Sequence, residues 1–249
     1  IISLTMGICI DKGFIKSLDE PISKYLPVFG EEIHPYHKKI TIRHLLTLSS
    51  GIYFQGGVHY HCPMMEQLRR CRDWVAHIAD VDMKALPGSV WQYKEWDVIL
   101  ASAVISVATG KSAWEMCEEF LYRPLGIKSG VWPSSNCGIS YNVHKEEEQS
   151  DLSARDMAKI GLLMLSGGKW NGKQIVSEDY VTESSKPSVA TAGYGLFWWL
   201  KDKYFEAQGF GGQEIRVYPS ENVVAVIQAA PTSSGKFYFD VLDSVMVSL

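Results

Sequence analysis

The 249-residue sequence lacks the features that mark membrane-spanning and nucleic-acid-binding proteins. No apolar run reaches the roughly 18 residues that a membrane-spanning helix requires. The 24 lysines and arginines are scattered among 28 acidic residues, so the net charge is −4 and no basic stripe is available to a phosphate backbone. We therefore expect neither a membrane segment in this chain nor a nucleic-acid partner.

Paired cysteines are also lacking. The five cysteines, an odd number, lie far apart and form no C-x-x-C pair. This spacing argues against a disulfide framework and favours a reducing compartment. The run His59-Tyr60-His61-Cys62 has the ligand types for zinc, but no second ligand pair stands at metal-site spacing, so we interpret it as a loop. The sequence thus predicts no metal and no organic cofactor.

A third absence concerns the start of the sequence. Residues 1–12 are typical of an apolar helix, yet no N-cap residue precedes them. The usual signs of a signal peptide, which are a basic segment and a small-residue cleavage site, are missing as well. Since there is no initiator methionine either, we expect the protein to continue upstream of Ile1.

The patterns that are present change in character along the chain. Up to about residue 190 they predict helices joined by loops. After Gly193 they predict successive strands and then a closing helix, and no linker or internal repeat interrupts the chain. The sequence therefore predicts one α+β domain over residues 1–249. Its helical region covers about 1–190, and its sheet and closing helix cover about 191–249.

These expected elements have approximate bounds. The helices are expected at 1–12, 21–26, 42–50, 64–79, 98–109, 113–122, 154–165 and 237–249. The strands are expected at 194–200, 204–208, 214–218 and 222–228.

The most informative stretch is Leu86–Asp97, with the sequence LPGSVWQYKEWD. It combines a Pro-Gly turn, a short aromatic segment and a tyrosine, and the apolar run that follows predicts a buried helix ending at Gly110. Tyr93, Lys94 and Glu95 would then be held rigidly at the mouth of a buried helix, facing a cleft. The alternative is that Tyr93 is a rim aromatic and the two charged residues are simply solvated.

Seven segments of the chain occur in the same order as similar segments of one known protein family. They are 13–27 (GFIKSLDEPISKYLP), 40–52 (ITIRHLLTLSSGI), 87–93 (PGSVWQY), 108–111 (ATGK), 124–127 (PLGI), 151–159 (DLSARDMAK) and 209–213 (GFGGQ). Together they resemble the serine hydrolases that include class C β-lactamases, low-molecular-weight penicillin-binding proteins and related esterases. The resemblance implies the β-lactamase/DD-peptidase-like α+β fold, in which a large helical region accompanies an antiparallel sheet flanked by helices.

The resemblance implies three catalytic groups, and the first is not found in this chain. It is S-x-x-K, in which the serine attacks a carbonyl carbon and the lysine helps to remove its proton. The only matches are Ser166–Lys169, at an expected helix C-terminus, and Ser233–Lys236, which nothing places near Tyr93. We interpret both as turns, and we expect the nucleophile and its lysine upstream of Ile1.

The second group, Y-x-N, corresponds to Tyr93-Lys94-Glu95. By resemblance Tyr93 is the general base that takes the nucleophile's proton and later returns one to the leaving group. Glu95 stands where the family usually has asparagine. A carboxylate cannot donate as an amide does, and it adds negative charge beside a base that is meant to be anionic, which argues against β-lactam turnover in particular.

The third group, K-T-G or an H-x-G-like variant, corresponds to Gly209-Phe210-Gly211, with Gly212 following. The family's cation is replaced by Gly209, so the positive charge that would hold a substrate carboxylate is lost. The backbone N–H of Gly212 could supply half of an oxyanion hole. The alternative is that these glycines form a tight hairpin turn.

These features favour a serine hydrolase that forms an acyl-enzyme on a small-molecule or peptide-like ester or amide. An esterase, an amidase and a peptidase-like enzyme all fit. One alternative is a non-catalytic relative that binds a peptide or small ligand in the same cleft; another is a true β-lactamase. The compartment stays open, because many relatives are exported although the scattered cysteines favour a reducing environment.

Overall fold

The computed structural model describes residues 1–30, 33–56, 62–141, 152–209, 212–229 and 236–247. Three single turns of 3₁₀ helix, at Ile22–Lys24, Pro27–Gly30 and His37–Lys39, follow the first helix. The helices of these regions, in chain order, are α1 (Ile2–Asp11), α2 (Ile42–Leu46), α3 (Pro63–Arg70), α4 (Trp74–Ala79), α5 (Glu95–Thr109), α6 (Ala113–Cys117, continued by a π-helical turn at Glu118–Tyr122), α7 (Arg123–Leu125), α8 (Ala154–Leu165), α9 (Glu178–Ser184) and α10 (Lys236–Val247).

The strands of the described regions form two antiparallel sheets. A small hairpin is made by β1 (Lys169–Trp170) and β2 (Lys173–Gln174). The main sheet has the order β3-β4-β5-β6, so each strand pairs with the next one in sequence. Its strands are β3 (Trp199–Leu200), β4 (Phe205–Gln208), β5 (Glu214–Tyr218) and β6 (Val223–Ile227).

Helix α5 is the centre of the helical region. It is apolar nearly all round, as expected of a helix that is packed on all sides, and it contacts α1, α2, α4 and α6. It ends at Gly110, whose left-handed backbone (φ +69°) closes the last turn. The buried apolar cluster that includes α5 extends from Leu4 in α1 to Val217 in β5, so the helices and the sheet share one core.

Helix α8 joins the helical region to the sheet by packing on β5 and β6. Gly161 makes this close approach possible, because a Cβ atom there would lie 2.4 Å from Cγ1 of Val224 and 3.0 Å from Cγ2 of Ile215. The N-cap of α8 is Ser153, as the sequence predicted, and its hydroxyl accepts the Asp156 N–H at 3.1 Å.

Several expected helices have different bounds in the structure. The helix expected over 64–79 is two helices, because Asp73 caps the second one by accepting the Ala76 N–H at 3.0 Å. The helix expected over 42–50 is correctly capped by Thr41 but ends at Leu46. Leu48 then takes a left-handed backbone (φ +52°), which a helix cannot continue through.

Other elements were missed or overextended. Helix α9, capped by the Ser177 hydroxyl, and the β1–β2 hairpin, turned at Asn171-Gly172, were not predicted. The first strand of the main sheet covers only 199–200 rather than 194–200. Strand β5 has the predicted bounds, and the single-domain division near residue 190 stays a prediction.

One face of the main sheet buries a group of charged side chains. Glu206, Glu214 and Arg216 are each no more than 3% exposed. The Arg216 Nε lies 2.7 Å from the Glu214 carboxylate and 3.4 Å from that of Glu206, and its guanidinium also pairs with Asp243 of α10. This charged group therefore couples β4 and β5 to α10, which packs on β6.

The two buried carboxyl groups share this space unfavourably. Burial, together with hydrogen bonding to Glu214 and repulsion from it, raises the pKa of Glu206 from its usual 4.5 to about 8, although Lys201 and Arg216 oppose the increase. The neutral acid is therefore favoured in the folded protein at neutral pH.

We predict that this carboxyl group makes the protein less stable as pH rises from about 4.5 to about 8. In that window the folded protein binds more protons at Glu206 than the unfolded chain does, so the free energy of unfolding falls. Glu206→Gln should flatten this pH dependence and stabilise the protein at pH 8 by at least about 1 kcal/mol. Urea unfolding of the variant and the wild type at several pH values measures this change in the free energy of unfolding.

Glu221→Gln is the control, because Glu221 is exposed beyond β5. An equal pH dependence in the Glu206→Gln variant and the wild type would contradict the prediction.

Candidate active site

Two segments of the helical region are joined side by side to form the floor of the site. One is residues 46–54, which follow α2, and the other is residues 86–97, which lead into α5. The Gln92 N–H donates to the Leu48 carbonyl at 3.0 Å, and the Gly88 N–H donates to that of Ser49 at 2.8 Å. The Gln92 side chain donates to the Phe54 carbonyl at 2.7 Å, so the chain on the N-terminal side of Tyr93 is fixed at several points.

The last residue of α2 also contacts the segment that leads to the sheet. The Phe197 N–H donates to the Leu46 carbonyl at 2.8 Å, and Phe197 itself takes a left-handed backbone (φ +61°). Trp199 then begins β3 two residues later. The end of α2 and the loop after it therefore contact both the tyrosine segment and the residues that lead to the first strand of the main sheet.

Tyr93 lies at this junction, with 48% of its surface exposed. Its ring is nearly parallel to that of Trp199, with 5.9 Å between centroids and 9° between planes. Trp91 and Tyr194 also contact Trp199, at 5.5 Å and 5.0 Å between ring centroids. We call Trp91, Tyr93, Tyr194 and Trp199 the aromatic cluster; it links the start of α5 to the edge of the main sheet.

Tyr194 is the buried member of the aromatic cluster, at 4% exposed. Burial raises its pKa well above the usual 10.0, and interactions with Tyr93 and Asp97 raise it further. Its hydroxyl is therefore protonated at neutral pH. The exposed tyrosine of the cluster, Tyr93, is the better placed of the two to meet a ligand.

Lys94 is buried, which excludes the alternative that it is simply a solvated residue. It is 1% exposed, and its Nζ donates to the Ile52 carbonyl at 3.1 Å. Nζ also lies 3.9 Å from Oδ2 of Asp97, in the first turn of α5. Burial lowers the pKa of the Lys94 ammonium, and the Asp97 carboxylate offsets part of that change.

Asp97 is fully buried as well. Its Oδ2 accepts the Ser50 N–H at 3.3 Å, whereas its Oδ1 has no hydrogen-bond partner among the described residues. Burial raises the pKa of Asp97 from 3.8 to about 6, against the opposing effects of Lys94 and Ser50. The sequence predicted that Lys94 would face the cleft beside Tyr93, whereas the structure turns its side chain into the core; Asp97 was not predicted to belong to the site.

Glu95 is the first residue of α5 and is partly buried, so it is not simply solvated either. Burial raises the pKa of its carboxyl group, and a hydrogen bond from its own backbone N–H offsets part of the increase. The start of a helix carries partial positive charge, which favours a carboxylate there. Glu95 thus places an acidic group two residues from Tyr93.

The glycine-rich segment of the predicted site forms a hairpin between β4 and β5. The Gly209 N–H donates to the Gln213 carbonyl at 2.8 Å. Gly212, with φ +94°, donates its N–H to the Gly209 carbonyl at 3.3 Å, inside the turn. An oxyanion role for that N–H stays a prediction, and it requires this bond to open. Phe210 and Gly211 lie outside the described residues.

The sheet register relates this hairpin to Tyr93. Trp199, which stacks on Tyr93, pairs directly with Glu206 on β4. Gly209 follows Glu206 by three residues, a distance of about 10 Å along an extended strand. The hairpin therefore lies at the end of β4, the strand that pairs with the one that begins at Trp199, and its place in one site with Tyr93 stays a prediction.

The other sequence candidates lie elsewhere. Ser166 caps the C-terminus of α8, and Gly167 and Gly168 follow it with left-handed backbones (φ +59° and +79°), as expected of a turn. Ser233 and the residues His59, Tyr60 and His61 lie outside the described residues. In the described parts of the chain, no three His, Cys, Asp or Glu side chains are grouped as a metal site requires.

Comparison with known proteins assigns the chain to a family. The family model named Beta-lactamase matches residues 2–237, nearly the whole chain. The chain belongs to the Beta-lactamase family. As the sequence predicted, it has the α+β fold of β-lactamases and DD-peptidases, and the family's members include hydrolases of the β-lactamase type.

Individual relatives and a solved structure show what the chain is similar to. An uncharacterised protein of Alkalihalophilus pseudofirmus is 24% identical, over 90% of this chain and 69% of its own length. The D-alanyl-D-alanine-carboxypeptidase/endopeptidase AmpH of Escherichia coli is 31% identical over 51% of this chain, and that match covers 32% of AmpH. A penicillin-binding protein from Bacillus halodurans has a similar fold, with a TM-score of 0.69 and 19% identity over 98% of this chain and 83% of its own.

The helices of the described regions include none that is both long and apolar enough to cross a membrane.

Proposed function

We propose that this protein is a serine hydrolase that forms an acyl-enzyme on an ester or amide. The observation that carries the proposal is Tyr93, a half-exposed tyrosine stacked on Trp199 at the edge of the main sheet. The residues before and after it are anchored by hydrogen bonds to the loop after α2. Such a phenol is held in place rather than left to rotate, which is what a general base requires.

The proposed reaction has two halves. Tyr93 accepts the proton of a serine hydroxyl as the serine oxygen attacks the carbonyl carbon of the substrate. The bond from that carbon to the leaving oxygen or nitrogen then breaks, and Tyr93 returns the proton to the leaving group. Water next adds to the acyl-enzyme, which releases the acid and restores the serine. The serine and its S-x-x-K lysine are proposed to precede Ile1.

The substrate is proposed to be a small-molecule or peptide-like ester or amide. AmpH is a carboxypeptidase/endopeptidase, and the similar fold from Bacillus halodurans is that of a penicillin-binding protein, which favours peptide-like amides among these. Glu95 and Gly209, which replace the family's amide and cation, argue against a true β-lactamase.

Tyr93→Phe should reduce ester hydrolysis by about 10²- to 10⁴-fold, because it removes the group that transfers the proton. The natural protein, including any sequence upstream of Ile1, is incubated with a fluorophosphonate serine probe and with a chromogenic ester. The probe should add once, on a peptide that contains S-x-x-K, and the variant should react more slowly.

The control is Tyr36→Phe, since Tyr36 lies before α2, outside both segments of the site, and its ring contacts His34 and Lys39. A natural protein that neither takes up the probe nor hydrolyses esters or amides would contradict the proposal and leave the non-catalytic alternative.

A second prediction concerns Glu95. Glu95→Asn should raise kcat/KM for a carboxylate-bearing substrate relative to its neutral analogue, because it removes a negative charge near the reacting carbonyl. The gain should be on the order of tenfold or less for a partly solvated charge. In the wild type the discrimination should weaken as pH falls, since burial raises the pKa of Glu95 and it is neutralised earlier than an ordinary glutamate.

The measurement is kcat/KM for a matched pair of esters across a range of pH, with Glu221→Gln as the remote control. Equal discrimination by the wild type and Glu95→Asn at every pH would contradict the assignment of Glu95 to the substrate site.

A further inference from the structure

Tyr93 and Lys94 point to opposite sides of the same short segment. Lys94 has an extended backbone (φ −159°, ψ 147°), in which neighbouring side chains alternate in direction. Tyr93 is accordingly 48% exposed and Lys94 is 1% exposed. Whatever fixes the Lys94 side chain therefore also fixes the direction in which Tyr93 leaves the backbone.

The buried end of Lys94 is fixed by two contacts that belong to different elements. Its Nζ donates to the Ile52 carbonyl at 3.1 Å, in the loop after α2. It also lies 3.9 Å from the Asp97 carboxylate, in the first turn of α5. Asp97 in turn accepts the Ser50 N–H at 3.3 Å. The two charged side chains thus tie the start of α5 to residues 50–52 of the loop.

Protein stability alone does not explain the buried pair of Lys94 and Asp97. Both side chains are almost completely buried, and the distance of 3.9 Å is too long for a direct hydrogen bond. Asp97 Oδ1 is unpartnered among the described residues. Buried ion pairs can often be replaced by apolar residues without loss of stability, so a pair with incomplete hydrogen bonding calls for another explanation.

We propose that Lys94 and Asp97 are positioning residues for Tyr93. They hold residues 93–95 at the rotation that places the Tyr93 ring against Trp199 and directs its hydroxyl away from the core. The catalytic part of this inference rests on the function proposed above, whereas the positioning of the ring can be measured whether or not the protein is a hydrolase.

The test compares Lys94→Met, Asp97→Asn and the double variant with the wild type. Each single variant leaves one buried charge unpaired and should be destabilised, and the double variant should recover much of that loss. Its kcat for a chromogenic ester should nevertheless stay on the order of 10- to 100-fold below wild type, with KM changed less than about twofold, because a misplaced group lowers the rate of the chemical step.

A second readout does not depend on activity. In protein labelled with 3-fluorotyrosine, the ¹⁹F resonance of Tyr93 is assigned from its absence in Tyr93→Phe. The stacked Trp199 ring should change the chemical shift of this resonance. In the double variant the chemical shift should move towards that of an unstacked tyrosine.

The chain offers a matched control. Lys159 and Asp156 in α8 are also three residues apart, with Nζ 2.9 Å from Oδ1, and Lys159 Nζ likewise donates to a backbone carbonyl, that of Gly126, at 2.8 Å. The Lys159→Met and Asp156→Asn double variant removes the same chemistry far along the chain from Tyr93. It should leave kcat and the Tyr93 resonance unchanged.

A double variant at 94 and 97 with wild-type kcat and an unmoved Tyr93 resonance would overturn the proposal and leave the pair a structural role only. If the double variant folds poorly, Asp97→Asn alone decides by the same readouts, because asparagine keeps the size of the side chain and an acceptor for the Ser50 N–H. A wild type without probe labelling or turnover would reject the hydrolase function, and the resonance would still decide the positioning.

Discussion

The burial of the Lys94 ammonium is the constraint on which the candidate site depends. A buried ammonium needs a hydrogen-bond acceptor and a counter-charge nearby, and here the Ile52 carbonyl supplies the acceptor and Asp97 the counter-charge. Meeting that requirement brings the loop after α2 against the first turn of α5. The opposite side of the same backbone then carries Tyr93, which completes the aromatic cluster on Trp199. One buried charge therefore helps to fix the start of α5, where the aromatic cluster links the helical region to the edge of the sheet.

The main sheet has a comparable constraint of its own. Glu206, Glu214 and Arg216 are buried together, and Arg216 on β5 contacts both Glu206 on β4 and Asp243 on α10. Glu206 pairs with Trp199 on the neighbouring strand, so their side chains project from the same face of the sheet and the charged group lies beside the residue on which Tyr93 stacks. The two halves of the site are thus each fixed by buried charges, and Trp199 is the residue at which they meet.

Local signals in the sequence predicted the elements but not the contacts between them. The apolar run before Gly110, the caps at Thr41 and Ser153, and strand β5 are set by neighbouring residues, and all were predicted. The partner of Lys94 at Ile52 is 42 residues away, and charged residues are normally exposed, so nothing local indicated its burial. The stacking of Tyr93 on Trp199 likewise depends on how the helical region folds back on the sheet.

The charges around Tyr93 bear on what the site can accept. Lys94 is the cationic residue nearest to Tyr93 in sequence, but its ammonium is buried and bonded to the Ile52 carbonyl. Gly209 has no side chain that could supply a cation at the hairpin. Glu95 contributes a carboxyl group that burial makes harder to ionise. A substrate carboxylate would therefore meet no compensating cation from these residues and, at neutral pH or above, some repulsion. Neutral esters and amides avoid that cost, which is why we place them ahead of β-lactams.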